Sequence, residues 1–252
     1  MIFPTKSDYP NNFAILDYQH PTQTRLHTSL VEASASAYFE SDPMSRYFLT
    51  RKFRHTASLF HDRSFDRVLD AGTGIGYFVP HLASIAKEVV GVERNEAAMY
   101  AREMLKKRGI ANASVEQYDL LSLPYKDSSF DCVVALSVLD AFNGHELKIV
   151  LNNFRRVLAP HGLLIVGCSA ENALTRFLHY RLGFLFGKRA RTRQLLDSSK
   201  IPNAVFAKPI SAPEAVEAIA QEQYHFKNIG VRTLSITPLL KLYRTTLFEN
   251  MK

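Results

Sequence analysis

The sequence predicts an α/β protein with a doubly wound, mostly parallel sheet of seven strands. Three observations favour this class. Short apolar segments alternate with helical segments over residues 65–168, a Gly-rich turn follows the first of them, and the fourth is apolar almost throughout, like a strand buried on both faces. Strands that alternate with helices pair in parallel through right-handed crossovers. The last two strands follow each other directly, so we expect an antiparallel pair at the end of the chain.

Each element is predicted from its periodicity and its boundary residues. Apolar runs predict strands over 67–70, 88–93, 113–117, 130–136, 163–166, 230–236 and 243–248. Helical spacing predicts helices from the Gly-rich turn to about Ala86 and over 95–108, 144–158 and 213–222. Gly109 is placed to end the second of these helices, and Ser211 with Glu214 forms a capping pattern at the start of the last.

Changes in pattern divide the chain into four parts. Residues 1–60 are an amino-terminal arm and helices that cover the active site, and 61–169 form the cofactor-binding core. Residues 170–210 are an inserted lid, and 211–252 complete the sheet with a helix and two strands. The first part begins with a loose polar arm over 1–27, followed by helical sequence that breaks before Pro43, a residue suited to the first turn of a new helix.

Charge and composition limit the possible partners and compartments. The chain has 252 residues, with 31 Lys and Arg against 24 Asp and Glu, a net charge of +7. This excess favours an anionic partner, although it is equally consistent with solubility alone. Cys132 and Cys168 both lie within predicted strands, which argues against a disulfide framework. With no apolar signal core and no run of eighteen apolar residues, we expect a cytoplasmic protein.

The Gly-rich turn carries an acidic residue that a dinucleotide-binding turn does not need. Its glycines follow the pattern G-x-G-x-G rather than G-x-G-x-x-G, and Asp70 precedes Gly72 by two residues. A carboxylate there would repel a pyrophosphate and suits a ligand with cationic ammonium and sulfonium groups. Glu93 ends the second predicted strand, where it can accept hydrogen bonds from ribose hydroxyls. Asp119 follows the third strand and can accept one from an adenine amino group.

Four segments in order resemble the class I methyltransferases that use S-adenosylmethionine. The nearest group is the type 11 or ubiquinone/menaquinone-biosynthesis-like one, and the resemblance covers about residues 65–168. It lies in the segments 68–76, 89–93, 123–131 and 156–166. The sequence departs from the pattern at His161, which replaces the first glycine of Pro-Gly-Gly, and at Asp140 and Ala141, where many relatives have Glu-His. Beyond residue 170 it shows no resemblance.

The resemblance implies a site for S-adenosylmethionine and its product S-adenosylhomocysteine. The turn would cradle the methionine and ribose, with Asp70 near the amino group, Glu93 on the ribose diol, and Arg94 beside the adenine. The Asp119 side chain and the Leu120 amide would read the adenine edge. The implied cofactor-binding residues are Asp70, Gly72, Thr73, Gly74, Gly76, Glu93, Arg94, Asp119, Leu120, Leu136 and Ser137.

The acceptor site is less defined by the sequence. A methyl group on a sulfonium is already electrophilic, so alignment is required and a base helps only with a hydroxyl or an acidic carbon. Asp140 is a weak candidate for that base, or it caps the helix near Gly144. Tyr38, Tyr47 and Phe48 are weak candidates for the acceptor pocket, or they are core residues. The histidines show no metal or triad spacing, and we expect no metal.

A basic and apolar segment lies within the predicted lid. Residues 176–193 contain six basic side chains and several large apolar ones, with no acidic residue from 172 to 196. The segment suits an anionic membrane surface or an anionic substrate, or a lid whose charges stay in solvent. Arg51, Lys52 and Arg54 add positive charge that would face the same opening if the family layout holds.

The leading hypothesis is methylation of a small-molecule or lipid-like acceptor at oxygen or carbon. The alternatives are an RNA-directed methyltransferase, which the basic charge favours, and a non-catalytic S-adenosylmethionine-binding protein. Nucleic acid is the less favoured partner because no RNA-binding module is evident. The missing Asn/Asp-Pro-Pro-Tyr run argues against a DNA amino-methyltransferase, and the glycine spacing with Asp70 argues against an NAD-dependent oxidoreductase.

Overall fold

A computed structural model of the chain describes residues 3–10, 38–39, 43–60, 63–139, 142–169, 213–237 and 240–252. Its strands are β1 (Phe65–Ala71), β2 (Ala86–Val92), β3 (Ala113–Glu116), β4 (Phe130–Leu136), β5 (Leu158–Ser169), β6 (Phe226–Thr237) and β7 (Leu240–Asn250). They form one sheet in the order β3-β2-β1-β4-β5-β7-β6. The first five strands pair in parallel, and β7 is antiparallel to both of its neighbours. The predicted fold class is therefore confirmed.

Helices connect the strands and cover the sheet. They are α1 (Pro43–Ala57), α2 (Val79–Ala83), α3 (Ala97–Lys107), α4 (Gly144–Val157) and α5 (Pro213–Tyr224). Asn143 caps α4 through hydrogen bonds from the amides of His145 and Glu146, both 3.0 Å, and the Glu146 carboxylate accepts one from the Asn143 amide. This reciprocal capping box satisfies donors that the first helical turn leaves unpaired. Pro43 begins α1, as predicted.

Alternation along the strands divides the core into two layers. In β1, Val68 faces a layer that includes residues of α2 and α3, whereas Leu69 faces the layer built with α4. The same alternation separates Cys132 from Val133 in β4. Successive side chains of a strand point to opposite faces, so a strand apolar at every position is buried on both. The nearly continuous apolar run in β4 was therefore a sound basis for the prediction.

Several predicted boundaries were wrong, and three of them show the cause. The helix after the Gly-rich turn ends at Ala83, and Ala86 already belongs to β2, because Phe65 extends β1 backwards and pairs with Ala86. Leu158 begins β5 rather than ending α4, since it pairs with Phe130. Strand β6 begins at Phe226, four residues earlier than expected, and its glycine marks a register shift inside the strand. In each case pairing with a distant strand overrides the local pattern.

The prediction of a loose arm was wrong for residues 3–10. Tyr9 is 1% exposed, and its hydroxyl donates a hydrogen bond to the Ile75 carbonyl (3.0 Å). The Arg108 guanidinium donates to the Asp8 carboxylate (2.9 Å) and to the Phe3 carbonyl (3.3 Å). The rest of the predicted arm, the lid over 170–210 and the cap at residue 211 lie outside the described residues. The four-part division of the chain stays a prediction.

Candidate functional site

The carboxyl ends of the parallel strands bring the predicted site residues to one edge of the sheet. Asp70 lies near the end of β1, Glu93 directly follows β2, Asp119 follows β3, and Ser137 directly follows β4. In open α/β sheets a ligand binds in the crevice outside these ends, near the point where the strand order reverses. That point lies between β1 and β4 here.

The turn after β1, residues 72–76, is called the glycine loop below. The amides of Gly72 and Thr73 both donate to the Val92 carbonyl, at 2.8 and 3.0 Å, so the loop is anchored on β2. Gly72, Gly74 and Gly76 have φ angles of +75°, +57° and +75°. These left-handed conformations disfavour residues with a Cβ, which explains the glycine spacing of the sequence.

Glu93 binds the glycine loop and the start of α3 together. Its Oε2 atom accepts a hydrogen bond from the Gly74 amide (3.0 Å). Its Oε1 atom accepts from the amides of Arg94 (2.9 Å) and Asn95 (3.3 Å). The sequence predicted this carboxylate as a ribose ligand, which stays a prediction, and gave no sign of its part in shaping the loop. Carboxylate oxygens accept more than one hydrogen bond each, so both parts are compatible.

Asp70 is buried beneath the glycine loop. It is 4% exposed, and its carboxylate accepts a 2.6 Å hydrogen bond from the Thr73 hydroxyl. Burial raises the pKa of this carboxyl to about 6; the Thr73 bond opposes the rise and the nearby Glu93 charge adds to it. Within the described ranges no Lys or Arg forms an ion pair with Asp70. A cationic ligand group beside the loop would therefore stabilise its ionised form.

Asp119 opens the short 3₁₀ turn Leu120–Ser122. Its Oδ1 atom accepts from the Leu121 amide (2.9 Å), while its Oδ2 atom has no hydrogen bond to the described residues. Asn153 of α4 holds the turn through the carbonyls of Leu120 and Leu121, both at 3.0 Å. Asp119 thus serves a turn, as capping aspartates commonly do, and keeps an oxygen for a further donor. Arg94 is exposed, and its carbonyl accepts a hydrogen bond from the Gln117 side chain (3.2 Å).

The end of β4 joins the amino-terminal helix to the last strand. Ser137 has a φ of +56°, and its amide donates to the Gly167 carbonyl of β5 (2.7 Å). Its hydroxyl accepts from the Lys52 ammonium (3.2 Å) and donates to the Tyr243 hydroxyl (3.1 Å). Sequence reasoning placed the Ser137 backbone in the site but missed Tyr243, which an alternating strand pattern does not distinguish.

An aromatic cluster packs beside the glycine loop; it consists of Phe3, Tyr9, Tyr38, Phe39, Phe53 and Tyr77. The Tyr38 ring stacks on Tyr77 with centroids 4.5 Å apart, and Phe3 stacks on the same ring at 5.3 Å. Of the predicted acceptor residues, Tyr38 is half-buried in this cluster. Tyr47 is 51% exposed beneath the Arg51 guanidinium, and the Phe48 side chain and Asp140 lie outside the described residues.

Both cysteines are buried. Burial raises the pKa of the Cys132 thiol above its ordinary value. Both lie in strands within the core. In the part of the chain that the structure describes, no three His, Cys, Asp or Glu side chains are grouped to bind a metal ion, and no helix is long and apolar enough to cross a bilayer.

The residues at this edge fit an adenosyl sulfonium compound. A Cβ placed on Gly74 would meet no atom within 4 Å, so the loop presents bare backbone to open space at that position. The Glu93 carboxylate bonds to the amide of the same residue, and Asp70 lies beneath the loop. Asp119, which follows β3, has one carboxylate oxygen without a hydrogen bond to the described residues. A family model described as a methyltransferase domain matches residues 62–197, more than half of the chain.

The chain belongs to the class I S-adenosylmethionine-dependent methyltransferases, in the type 11-like group. The family's cofactor, when bound, supplies a methyl group that its sulfonium makes electrophilic. In this methyltransferase Glu93, Asp70, Asp119 and the glycine loop are the residues that would hold it.

Curated relatives of this methyltransferase have different named acceptors. An uncharacterised methyltransferase of Oceanobacillus iheyensis is 26% identical over 106 residues, covering 42% of this chain and 48% of that protein. A protein-L-isoaspartate O-methyltransferase of Rhodopseudomonas palustris is 36% identical, covering 42% and 46%. A 23S rRNA uracil C5-methyltransferase of Xanthomonas euvesicatoria is 37% identical, covering 31% and 18%. The chain therefore spans about half or less of the length of these relatives.

Solved structures share the fold of this methyltransferase. A protein of Pyrococcus horikoshii superposes with a TM-score of 0.60 at 23% identity, covering 81% of this chain and 91% of that one. The N-methyltransferase NodS of Bradyrhizobium japonicum, crystallised with S-adenosylhomocysteine, superposes with a TM-score of 0.58 at 19% identity, covering 84% and 90%. At these identities the likeness establishes the fold and not the acceptor.

Proposed function

We propose that this protein transfers the methyl group of S-adenosylmethionine to an oxygen or carbon atom of a small-molecule or lipid-like acceptor. The observation that carries the proposal is the position of the aromatic cluster. Tyr77 directly follows the glycine loop, and its ring stacks on Tyr38. Lys52 contacts the Tyr38 ring and donates to Ser137 at the end of β4. Apolar rings therefore extend from the loop towards the end of β4, and we place the acceptor beside these rings.

Such a wall suits an apolar acceptor for two physical reasons. Small-molecule pockets are lined mainly by apolar and aromatic side chains with few polar groups. Methyl transfer also requires that the acceptor atom lie in line with the sulfur–methyl bond with water excluded, and holding two reactants in that geometry supplies roughly 7–11 kcal/mol. The Tyr9 hydroxyl donates a hydrogen bond to the Ile75 carbonyl of the glycine loop, which helps to fix the aromatic cluster against that loop.

The main competing function is methylation of RNA. The net charge of +7 favours it, and so does the similarity to an rRNA methyltransferase. That similarity involves less than a third of this chain and less than a fifth of the rRNA methyltransferase. A macromolecular acceptor requires an open approach to the methyl group. The packed rings of the amino-terminal residues favour a small acceptor instead. Contact of residues 176–193 with an anionic membrane surface stays a proposal and fits a lipid-like acceptor.

Methyl-labelled S-adenosylmethionine tests the acceptor class directly. The protein is incubated with total RNA, a protein extract, a lipid extract and a metabolite extract, and the label is counted in each fraction. We expect label in the lipid or metabolite fraction only, abolished by Glu93→Ala and retained by Glu103→Ala, an exposed glutamate on α3. Label confined to RNA or protein would refute the proposed acceptor. Tight binding of S-adenosylhomocysteine with no labelled fraction would refute catalysis.

A further inference from the structure

A lysine without a counter-charge lies on the acceptor side of the site. The Lys52 ammonium donates to the Ser137 hydroxyl and lies over three aromatic rings, at 5.8 Å from the centroid of Tyr38, 5.0 Å from Phe53 and 5.6 Å from Tyr243. Cation–π contacts hold an ammonium in place but leave its full positive charge. Among the residues that the structure describes, no carboxylate forms an ion pair with it.

We propose that Lys52, held in place by the Ser137 hydroxyl and by the ring of Tyr243, binds an anionic group of the methyl acceptor. This inference rests on the proposed function, because it assigns a chemical class to the acceptor of that same site. The acceptor carries a carboxylate or a phosphate next to an apolar body. An ammonium has three donors, and the Ser137 hydroxyl receives one of them. The remaining donors are available to a ligand oxygen.

The neighbours of Lys52 on β5 and β7 favour the acceptor over the cofactor as the source of the anion, although its partner Ser137 is also implied to line the cofactor. The carboxylates that suit the cofactor lie at the ends of β1, β2 and β3, on one half of the sheet edge. Lys52 lies on the other half. Its partner Ser137 is bonded to Gly167 of β5, and Tyr243 belongs to β7. One turn further along α1, the Thr56 hydroxyl lies 3.4 Å from that of Thr245, which fixes this part of the helix against β7.

The charges around α1 favour an anion on this side. The fifteen residues of α1 include the permanently charged Arg51, Lys52 and Arg54 and no acidic residue. The pKa of His55 is lowered by burial and then by the charges of Arg232 and Arg51, so the positive field extends to β6. A cleft lined by one sign of charge attracts ligands of the opposite sign. The rings of the aromatic cluster supply faces for the apolar body of the same ligand.

Binding measurements on the protein saturated with S-adenosylhomocysteine test this assignment. The probes are benzoate, phenyl phosphate and decanoate, each paired with a neutral analogue: benzamide, benzyl alcohol and decanamide. We expect at least one anion to bind, and its neutral partner to bind at least about tenfold more weakly. Benzoate and decanoate represent a carboxylate acceptor, and phenyl phosphate represents a phosphate acceptor.

Variants of Lys52 decide whether this side chain is responsible. Lys52→Met should weaken binding of the anion roughly tenfold or more, Lys52→Arg should restore most of it, and Lys107→Met, an exposed lysine on α3, should change nothing. Affinity for S-adenosylhomocysteine should be the same in all four proteins. Equal binding of anions and neutral analogues, or no effect of Lys52→Met, overturns the inference.

Two further outcomes separate this inference from the proposed function. Loss of S-adenosylhomocysteine affinity in Lys52→Met, with its circular dichroism and melting temperature intact, would assign Lys52 to the cofactor's own carboxylate and overturn the inference alone. Failure of the wild-type protein to bind S-adenosylhomocysteine would contradict the proposed function itself.

Discussion

The backbone amide of Gly74 donates a 3.0 Å hydrogen bond to the carboxylate of Glu93. The bond joins the turn after β1 to the residue after β2, so two elements that the sequence presents nineteen positions apart form one unit. The same carboxylate accepts from the amides of Arg94 and Asn95. The group that holds the loop in shape is also the one predicted to bind the ribose hydroxyls, so its removal should affect both.

Replacing Glu93 by Ala should weaken the binding of S-adenosylhomocysteine strongly. Hydrogen bonds to a charged group contribute about 1.5–3 kcal/mol, and the variant loses those to the ligand as well as those that order the loop. We expect the Kd from titration calorimetry to rise roughly 10- to 150-fold. Glu93→Gln keeps the shape and part of the hydrogen bonding, so an intermediate Kd is expected.

The control for this prediction is Glu103→Ala, which removes an exposed carboxylate from α3. Its Kd should equal that of the wild type. An unchanged Kd in Glu93→Ala would show that the ribose hydroxyls are held elsewhere.

The stability of the unliganded protein should fall as the pH rises through the pKa of Asp70. Burial raises this pKa from 3.8 to about 6, so the folded state prefers the protonated carboxyl. The resulting stabilisation is fully present below about pH 4 and is lost as the pH passes about 6. One pKa unit corresponds to about 1.4 kcal/mol, so the loss is of the order of 3 kcal/mol.

Urea unfolding at about pH 4.5, 5.5, 6.5 and 7.5 measures this effect against Asp70→Asn, which does not titrate. The wild type should lose free energy of unfolding relative to the variant over this range. A difference between the two proteins that is flat with pH would contradict the raised pKa. Affinity for S-adenosylmethionine should show the opposite trend in the wild type, because its cationic groups favour the ionised carboxylate.

Local patterns were sufficient for the sheet and for the glycine loop at its edge. The apolar run of β4 and the left-handed glycines each have a local cause, burial on both faces and a positive φ, that leaves a direct trace in the sequence. The start of β2 at Ala86 and of β5 at Leu158 depends on pairing with Phe65 and Phe130, and no local pattern records those partners.

The proposed acceptor side was harder to predict because it is assembled from distant parts of the chain. Lys52, Ser137 and Tyr243 are separated by 85 and 106 residues along the sequence. Their separate patterns are a basic helix, a turn and an alternating strand, which are ordinary on their own. Tyr9 was likewise assigned to a loose arm, because a single aromatic residue in a polar segment gives no periodicity to recognise.

Tyr9 should stabilise the protein through both its ring and its hydroxyl. Tyr9→Phe removes the hydrogen bond to the Ile75 carbonyl and should cost about 1 kcal/mol. Tyr9→Ala leaves a cavity in the aromatic cluster and should cost about 3–5 kcal/mol. Urea unfolding provides the measurement, and Tyr118→Ala, at a residue 42% exposed, is the matched control with an expected loss below about 1 kcal/mol. Equal losses of unfolding free energy in Tyr9→Ala and Tyr118→Ala would show that residues 3–10 do not pack stably against the core.

The glycines of the loop should divide into one required for packing and one required for the ligand. A Cβ on Gly72 would lie 2.5 Å from Cγ2 of Val138, and the residue has a φ of +75°. Gly72→Ala should therefore destabilise the protein by roughly 2–5 kcal/mol, the sum of backbone strain and overpacking. Gly74 has a similar backbone, with a φ of +57°, but open space around it. Gly74→Ala should cost only about 1–2 kcal/mol.

Ligand affinity should be affected more by Gly74→Ala than its small effect on stability suggests. Gly109 provides a matched control for this variant. Like Gly74, Gly109 has a positive φ, +64°, and no atom within 4 Å of a Cβ, but it lies at the end of α3. Alanine at either position adds the same backbone strain of about 1–2 kcal/mol, so the two variants should have similar melting temperatures. Only the methyl group on Gly74 would occupy the face along which the cofactor lies beside Glu93. The Kd for S-adenosylhomocysteine should therefore rise roughly tenfold or more in Gly74→Ala and stay unchanged in Gly109→Ala, since a lost ligand contact of about 1.4 kcal/mol corresponds to a factor of ten. Equal affinities in these two variants would mean that the ligand does not lie against the loop.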